Sequence, residues 1–301
     1  MNPTRPTAAI VLGDFHGQPA LQLASGDGAR ACVLLHGAHL VSWVPAGGEE
    51  QLYLSPRAVF DGRQAVRGGV PVIFPQFNQR GPLPRHGFAR QRAWRALSLE
   101  QGATDALAVL RLVDDEATRA LWPQPFVAEL SVRITGARLD IELAVEHREP
   151  DEGGPAPAEM SFTAALHTYL RVADVASSRL DGLQRLRYED CVRGTQQVDM
   201  APHLTPDGEL DRIYFDAARP LRLHDGARQL EIASHGFPDV VVWNPGAEAG
   251  ARIADMPADG WREMWCVEAA AIGVPVRVPA GECWIGRQTI TVIGPDAEGG
   301  A

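Results

Sequence analysis

Apolar and polar residues alternate one by one along several segments of this chain. This period of two would spread the apolar residues around a helix instead of placing them on one face. Segments 128–134 and 139–145 carry an apolar residue at every second position, and Thr-Gly-Ala-Arg between them is a turn signal. Successive side chains of a strand point to opposite faces, so the pattern predicts an antiparallel hairpin with one buried and one solvated face. The same pattern returns on both sides of the turn signal 279–281.

Glycine and proline divide the chain into short runs. The 301 residues include 30 glycines and 23 prolines, and convincing helices are scarce. The best candidate is 115–121, which Pro123 would end. Many short strands separated by turn signals are typical of a β-sandwich or barrel. Segment 149–159 has the composition of a linker, but similar strands flank it, so we interpret it as a surface loop within one domain spanning residues 1–301.

Composition argues against several classes of protein. No apolar run approaches the roughly 20 residues that a transmembrane helix needs. The net charge of −10 argues against a nucleic-acid or membrane-surface partner. Residues 1–17 lack a basic segment followed by an apolar one, so we expect no secretory signal. The four cysteines have no CxxC spacing, which predicts reduced thiols in a cytoplasmic protein.

The basic residues cluster between positions 57 and 95. That segment has eight arginines and one acid, Asp61, hence a charge of +7, which leaves −17 for the rest of the chain. On charge alone, a solvated basic loop and an anion-binding site are equally good interpretations. Gly68 and Gly69 would permit close approach of the backbone to a ligand, and arginines on rigid loops suit bidentate contacts with phosphate oxygens. A nucleotide-type phosphate loop, GxxxxGK[ST], is absent.

Two titratable residues differ from their surroundings. His167 lies in a predicted strand, 160–171, on a face that also carries a phenol, a guanidinium and hydroxyls, which suits a polar cleft. Glu268 lies in the otherwise uncharged run 264–272, where burial would raise the pKa of its carboxyl. It is either a general base tuned toward neutrality or half of a structural ion pair. No GxSxG, HExxH or His/Cys metal spacing supports a hydrolase or metalloenzyme.

Six motifs occur in a familiar order: VRGGVPVIFPQF, HGFAR, LHTYLRVAD, ELDRIY, VVWNP and WCVEAAA. From about Gly37 to Ile293, the chain resembles the hexose-6-phosphate mutarotase branch of the aldose 1-epimerase superfamily. The resemblance implies an all-β fold, a large antiparallel β-sandwich of the galactose-mutarotase type. It also implies catalysis without a metal or cofactor.

The resemblance assigns roles to individual residues. His167 matches the catalytic histidine of the family, and Glu268 matches its catalytic glutamate. Asp211 matches an acid that binds the sugar hydroxyls. Arg67 and Arg90 match the arginines that hold the anionic end of the substrate.

Two positions depart from the family's usual pattern. Arg85 stands directly before the His-Gly pair, where members often carry a different polar residue that contacts the ligand, and it would add a third guanidinium. Gly246 follows VVWNP in place of a bulkier residue, which would open one wall of the cleft. Trp43, Tyr169 and Trp243 are candidates for stacking on the sugar, although tryptophan in a β protein is more often core.

The predicted activity is interconversion of the α and β anomers of an aldohexose 6-phosphate, most of all glucose 6-phosphate. Protonated His167 would donate to the ring oxygen while Glu268 takes the proton of the C1 hydroxyl. We expect a monomer whose partner is a small-molecule sugar phosphate. A free-aldose epimerase with structural arginines and a non-catalytic sugar-binding sandwich stay open as alternatives. A binding module, however, has no need of both an acid and a base.

Overall fold

A computed structural model describes residues 9–149 and 159–294 of the protein. The described residues include three short 3-10 helices, at Ala89–Gln91, Val175–Ser177 and Gly260–Glu263. The strands and α-helices, in chain order, are β1 (Ala9–Phe15), β2 (Gln18–Ala24), β3 (Arg30–Leu34), β4 (His39–Val44), β5 (Val72–Ile73), β6 (Arg95–Gln101), β7 (Asp105–Val113), α1 (Glu116–Leu121), β8 (Phe126–Thr135), β9 (Arg138–His147), β10 (Glu159–Leu166), β11 (Tyr169–Arg171), β12 (Ser178–Asp181), β13 (Arg187–Asp190), β14 (Thr195–Val198), β15 (His203–Leu204), β16 (Leu210–Tyr214), β17 (Leu221–Asp225), β18 (Arg228–His235), β19 (Asp239–Asn244), α2 (Gly246–Gly250), β20 (Met264–Pro279) and β21 (Cys283–Ile293).

These strands form three antiparallel sheets. Strands β1 to β4 make a four-stranded meander. The eight-stranded sheet has the order β14-β13-β16-β19-β20-β10-β5, with β11 paired to β20, and the nine-stranded sheet has the order β15-β12-β17-β18-β21-β9-β8-β7-β6. One apolar core draws side chains from both large sheets, so they pack face to face. The predicted all-β antiparallel sandwich is confirmed.

The hairpin predicted from the alternating segment is β8 and β9. The two strands pair in register from Phe126–His147 to Thr135–Arg138, around a two-residue turn. Every apolar side chain of the alternating set lies in the core with at most 1% exposure. The period of two therefore identified both the strands and the face that is buried.

The strands predicted at the end of the chain are present, but they are not partners. Strand β20 belongs to the eight-stranded sheet, whereas β21 lies between β18 and β9 in the nine-stranded sheet. The turn 279–281 thus carries the chain from one layer of the sandwich to the other. Val274, one of the alternating apolar residues before that turn, is 75% exposed. Alternation reveals a strand but not its neighbour, which depends on residues far away in sequence.

Several smaller predictions have clear outcomes. The predicted helix is α1, with Asp115 as N-cap in a capping box with Thr118. All four cysteines are free thiols, as expected. Among the described residues, no helix has the length and apolar character needed to cross a membrane. Segment 149–159 lies almost entirely outside the described residues, so its interpretation as a loop within one domain stays a prediction.

Candidate active site

The face of the eight-stranded sheet that points away from the core carries a cross-strand row of polar and aromatic residues. Asp211 in β16 pairs with Trp243 in β19, which pairs with Cys266 in β20, which in turn pairs with Tyr169 in β11. Directly opposed residues of an antiparallel pair project from the same face. Glu268, two residues along β20 from Cys266, therefore joins this face.

The strand predicted at 160–171 is interrupted at the histidine. Strand β10 ends at Leu166 and β11 begins at Tyr169, so His167 lies in the break. Its ring stacks on Tyr169, with 4.7 Å between ring centroids and 12° between planes, and meets the edge of Trp243 at 6.0 Å. Tyr169 thus shares the histidine's face, as expected. Arg171, predicted on that face too, is exposed and does not line the cavity described below.

A buried polar bridge lies beneath this break. The Thr168 hydroxyl donates to Gln288 Oε1 at 2.5 Å, and Gln288 Nε2 donates to the carbonyl oxygen of Val267 at 3.0 Å. Gln288 comes from β21 in the opposite sheet and is completely buried. Because Thr168 follows His167 and Val267 precedes Glu268, one amide from the other layer holds the backbone beside both residues.

His167 and Glu268 form a close buried pair. The imidazole Nδ1 lies 3.2 Å from Glu268 Oε1, and the two side chains are 11% and 2% exposed. Burial raises the pKa of Glu268 well above its usual value, and Asp211 adds to this rise. Burial, followed by His86 and nearby arginines, lowers the pKa of His167. Both shifts favour the neutral forms of the two groups, a carboxyl that keeps its proton and an imidazole that does not take one up.

Three guanidinium groups line the same cavity as this pair. Arg67 is held by Asp255, at 3.1 Å from Nε to Oδ1, and donates to the Tyr169 hydroxyl at 3.0 Å. Arg90 donates from Nη2 to the carbonyl oxygen of Arg85, while its buried Nε has no hydrogen-bond partner within the described residues. Burial, with repulsion from Arg67 and Arg85, lowers the pKa of Arg90 to about 10.

No ion pair in the described parts of the chain involves Arg85 or Arg90. Arg80, another arginine of the basic segment, differs because it pairs with Glu189 at the surface. Arg85 is exposed, but Arg90 is half-buried, and a partly desolvated charge without a partner is unfavourable in free energy. The cavity therefore has positive charge that an anionic ligand would compensate.

The paired glycines have a different role from the one expected. Gly68 and Gly69 have φ angles of +107° and +61°, in the left-handed region. A Cβ on Gly68 would lie 2.3 Å from the carbonyl oxygen of Tyr53, and one on Gly69 would lie 2.3 Å from that of Leu40. Both glycines thus let the loop that carries Arg67 pack against neighbouring backbone. The expectation that they admit a ligand was wrong.

Two further expectations need correction. A Cβ on Gly246 would lie 2.7 Å from the carbonyl carbon of Gly208, so this glycine permits close packing against the turn before β16. It does not line the cavity and opens no wall. Trp43 is fully buried in the core and cannot stack on a ligand, whereas Trp243 does line the cavity. The Tyr169 ring stacks on His167 and is only 1% exposed, so its face is not available to stack on a sugar.

His86 is a site residue that the sequence reasoning passed over. Its ring centroid lies 5.9 Å from that of His167, and its Nδ1 accepts the backbone N–H of Asn78 at 3.3 Å. Burial and the charges of Arg90 and Arg85 lower the pKa of His86 to about 3, so the ring is neutral with its proton on Nε2. It therefore offers a neutral donor. Its place inside the HGFAR motif was the available signal, but its φ of +66° was not visible in sequence.

All six predicted site residues line one cavity, although they come from distant parts of the chain. The two acids, the histidine and the three arginines thus share a single solvent-connected space. The complete lining is Arg67, Phe77, Asn78, Arg85, His86, Arg90, His167, Asp211, Val241, Trp243 and Glu268. Within the described residues, no group of three or more His, Cys, Asp or Glu side chains is arranged to hold a metal.

Comparison with known proteins identifies relatives over most of the chain. The aldose 1-epimerase family matches residues 19–291. A protein of Salmonella typhimurium described as a "putative glucose-6-phosphate 1-epimerase" is 34% identical over 253 residues, which are 82% of this chain and 81% of that protein. Proteins with the same description from Escherichia coli and Cenchrus ciliaris are 35% and 31% identical over 248 and 280 residues; these cover 80% and 88% of this chain, and 79% and 83% of those proteins.

Solved structures agree with the fold. A Salmonella typhimurium crystal structure described as a "putative mutarotase" superposes with a TM-score of 0.85 and 30% identity, covering 95% of this chain and 94% of that one. Galactose 1-epimerase from Lactobacillus acidophilus superposes with a TM-score of 0.70 at 14% identity, covering 96% of this chain and 99% of that one. The predicted galactose-mutarotase type of sandwich is therefore confirmed.

Proposed function

The chain belongs to the aldose 1-epimerase family, and from this premise we propose that it interconverts the α and β anomers of an aldohexose 6-phosphate. It is an isomerase of the mutarotase type. Glucose 6-phosphate is the first candidate substrate, because the relatives at 31–35% identity carry that sugar phosphate in their names. The proposed substrate-binding residues are Arg67, Arg85, Arg90 and Asp211.

One observation supports a phosphorylated substrate above all. Arg90 is half-buried beside Arg67 and Arg85, its Nε is buried without a hydrogen-bond partner, and no carboxylate in the described residues forms an ion pair with it. Guanidinium groups form strong, bidentate hydrogen bonds with phosphate oxygens. A dianionic phosphate in this cavity would supply the missing negative charge. A free aldose would leave the guanidinium charge uncompensated.

The acid–base chemistry follows from the pair. Ionised Glu268 takes the proton of the C1 hydroxyl, while protonated His167 gives its proton to the ring oxygen. The bond between C1 and the ring oxygen breaks, and a carbonyl forms at C1. Rotation about the C1–C2 bond presents the other face of the aldehyde, and ring closure returns both protons. The pair ends as it began, so the same two groups serve both directions.

Other lining residues would orient the sugar. Asp211 has its pKa raised by burial and, when ionised, accepts hydrogen bonds from sugar hydroxyls. His86 donates from Nε2, and Trp243 offers an apolar surface to the C–H face of the ring. Neither Asp211 nor His86 takes part in an ion pair within the described residues, which leaves both free for substrate.

Exchange NMR tests this function. One-dimensional exchange spectra of glucose 6-phosphate, with and without the protein, are compared with those of free glucose and galactose. We expect much faster enzyme-dependent exchange for the phosphorylated sugar, since only it can satisfy the arginines. Equal kcat/KM values for phosphorylated and free sugars would instead favour a free-aldose epimerase, and no exchange with any sugar would favour a binding module.

Gln288 is expected to affect the reaction without touching the substrate. Gln288→Leu leaves the Thr168 hydroxyl and the Val267 carbonyl buried without their strong partner. An unsatisfied buried group costs about 1–3 kcal/mol, so urea unfolding should show a loss in that range. Because the bridge holds the backbone beside both catalytic candidates, kcat should also fall while KM stays nearly constant.

The neighbouring residue in β21 offers a matched control. Thr289 points to the other face and donates to Asp140 Oδ1 at 2.6 Å, far from the cavity. Thr289→Val should lower the free energy of unfolding while leaving kcat unchanged. If Gln288→Leu lowered stability but left kcat at the wild-type value, the bridge would be structural only.

We also propose a cytoplasmic, monomeric protein with a single domain. Free cysteines, including the exposed Cys283, suit a reducing compartment such as the cytoplasm. Size-exclusion chromatography with light scattering tests the monomer directly.

A further inference from the structure

The anion-binding arginines and the acid–base pair are in electrostatic contact. Arg67 donates to the Tyr169 hydroxyl at 3.0 Å, and the Tyr169 ring stacks on His167 with 4.7 Å between centroids. His167 lies 3.2 Å from Glu268. A charge added at the guanidinium groups therefore acts on the pair through a short, largely buried path, where the effective dielectric constant is lower than in water.

Positive charge predominates among the groups that face His167. Three guanidinium groups, those of Arg67, Arg85 and Arg90, outnumber the two carboxyls of Glu268 and Asp211, and burial raises the pKa of both carboxyls. The other titratable side chains around the ring are neutral. In full, the facing groups are Arg67 in the loop before β5, Arg85 and His86 in the loop before the 3-10 helix Ala89–Gln91, Arg90 in that helix, Tyr169 in β11, Asp211 in β16, and Cys266 and Glu268 in β20.

This field opposes a protonated His167 in the free protein. Burial, His86 and the three arginines lower the pKa of His167, while burial raises that of Glu268. Both shifts favour a proton on the carboxyl over one on the imidazole. In the proposed mechanism, this arrangement of the proton belongs to the complex with the ring-open aldehyde. Opening of a closed ring instead requires an ionised Glu268 and a protonated His167.

We infer that the dianion held by the arginines also activates the acid–base pair. By neutralising the guanidinium charge beside His167, it lets a proton move from Glu268 to His167. The two atoms lie 3.2 Å apart, and because His167 Nδ1 has no hydrogen-bond partner among the described residues, the ring must turn slightly toward Glu268 for the transfer. The pair as a whole gains and loses no proton. The inference rests on the proposed function, because the phosphate of the substrate is the anion that reaches the arginines. A free aldose then loses kcat as well as binding.

Inorganic phosphate alone is the probe for the proton transfer. Nitrogen-15 spectra of the imidazoles are recorded at constant neutral pH and constant ionic strength, with sodium chloride as the alternative salt. The His167 signal is assigned by its loss in His167→Gln. We expect phosphate, but not chloride, to move this signal from the neutral toward the protonated position.

Two exposed arginines of the basic segment provide matched variants that do not endanger folding. Arg85→Gln removes a guanidinium that lines the cavity, so its His167 signal should be closer to the protonated position without phosphate and should respond less to it. Arg95→Gln removes an equal charge from β6, outside the cavity, and should behave as the wild type. An equal response in both variants would contradict the inference.

The same anion should rescue the poor substrate. Phosphate added to free glucose should raise the enzyme-dependent kcat about tenfold or more. This corresponds to a change of about one unit in the difference between the pKa values of His167 and Glu268. Exchange catalysed by the phosphate itself is subtracted with an enzyme-free sample. The activation should vanish in His167→Gln.

The outcomes separate this inference from the function on which it rests. If phosphate only inhibits glucose exchange, or leaves the His167 signal in place, the activation is wrong while a preference for 6-phosphates still stands. If glucose 6-phosphate and glucose are turned over equally well, both the proposed substrate and the activation are wrong. Activation of glucose together with a shifted His167 signal supports both.

Discussion

Replacing either member of the buried pair is expected to abolish most anomer exchange. His167→Ala and Glu268→Gln should each slow the exchange by about 10²- to 10⁴-fold, the usual contribution of a general acid or base. The groups lie 3.2 Å apart and, in the proposed mechanism, exchange protons with the same substrate, so we expect them to act as a unit. The double variant should therefore lose less than the product of the two single losses. Exchange NMR on glucose 6-phosphate measures all three.

A second histidine–carboxylate pair in the protein provides the control. His224 Nε2 lies 2.8 Å from Asp181 Oδ2, on strands of the nine-stranded sheet and away from the cavity. His224→Ala should leave the exchange rate at its wild-type value. Near-full activity in either His167→Ala or Glu268→Gln would remove that residue from the mechanism, provided that substrate binding and unfolding show an intact protein.

Removing Arg90 is expected to cause the largest loss of substrate preference. A charge-assisted hydrogen bond contributes roughly 1.5–3 kcal/mol, so Arg90→Gln should lower kcat/KM for glucose 6-phosphate about 10- to 100-fold. The loss should appear mainly in KM, because Arg67 and Arg85 still hold the bound phosphate near His167, and its contact with Arg90 is the same in the ground and transition states. The rate with free glucose should not fall, because that sugar has no group to bind there.

The basic segment again supplies a matched control. Arg95→Gln changes the net charge by the same amount but lies exposed on β6, so both substrates should react as with the wild type. A similar loss in Arg95→Gln would indicate long-range attraction of the anion by the segment's +7 charge instead of a contact at Arg90. Wild-type protein that turns over free galactose as efficiently as the 6-phosphates would contradict the phosphate assignment altogether.

Local patterns in the sequence were good guides wherever a residue's environment depends on its immediate neighbours. The alternation in 128–134 and 139–145 predicted β8 and β9 with the correct buried face, because a strand's geometry fixes which side chains point inward. A single carboxyl in an apolar run predicted that Glu268 would be buried with a raised pKa. Both conclusions needed only a few consecutive residues.

Features that depend on close approach of distant segments were misjudged. The glycines at 68 and 69 looked like a ligand-binding feature, yet glycine is needed there because a Cβ would collide with backbone oxygens of Tyr53 and Leu40. A Cβ on Gly246 would likewise collide with the backbone of Gly208. A glycine in sequence shows only that a side chain is absent. Which atoms occupy the space that it leaves is decided by packing.

The sequence by itself determined an all-β chain, the strands of its best hairpin, the family motifs and six residues of one cavity. Only the tertiary structure decided that β20 and β21 lie in different layers, that Gln288 bridges these layers beneath His167 and Glu268, and that His86 joins the candidate site. The physical reason is that alternation and composition are properties of consecutive residues, whereas sheet order, burial of a charge and the field at His167 arise from segments that meet only when the chain has folded.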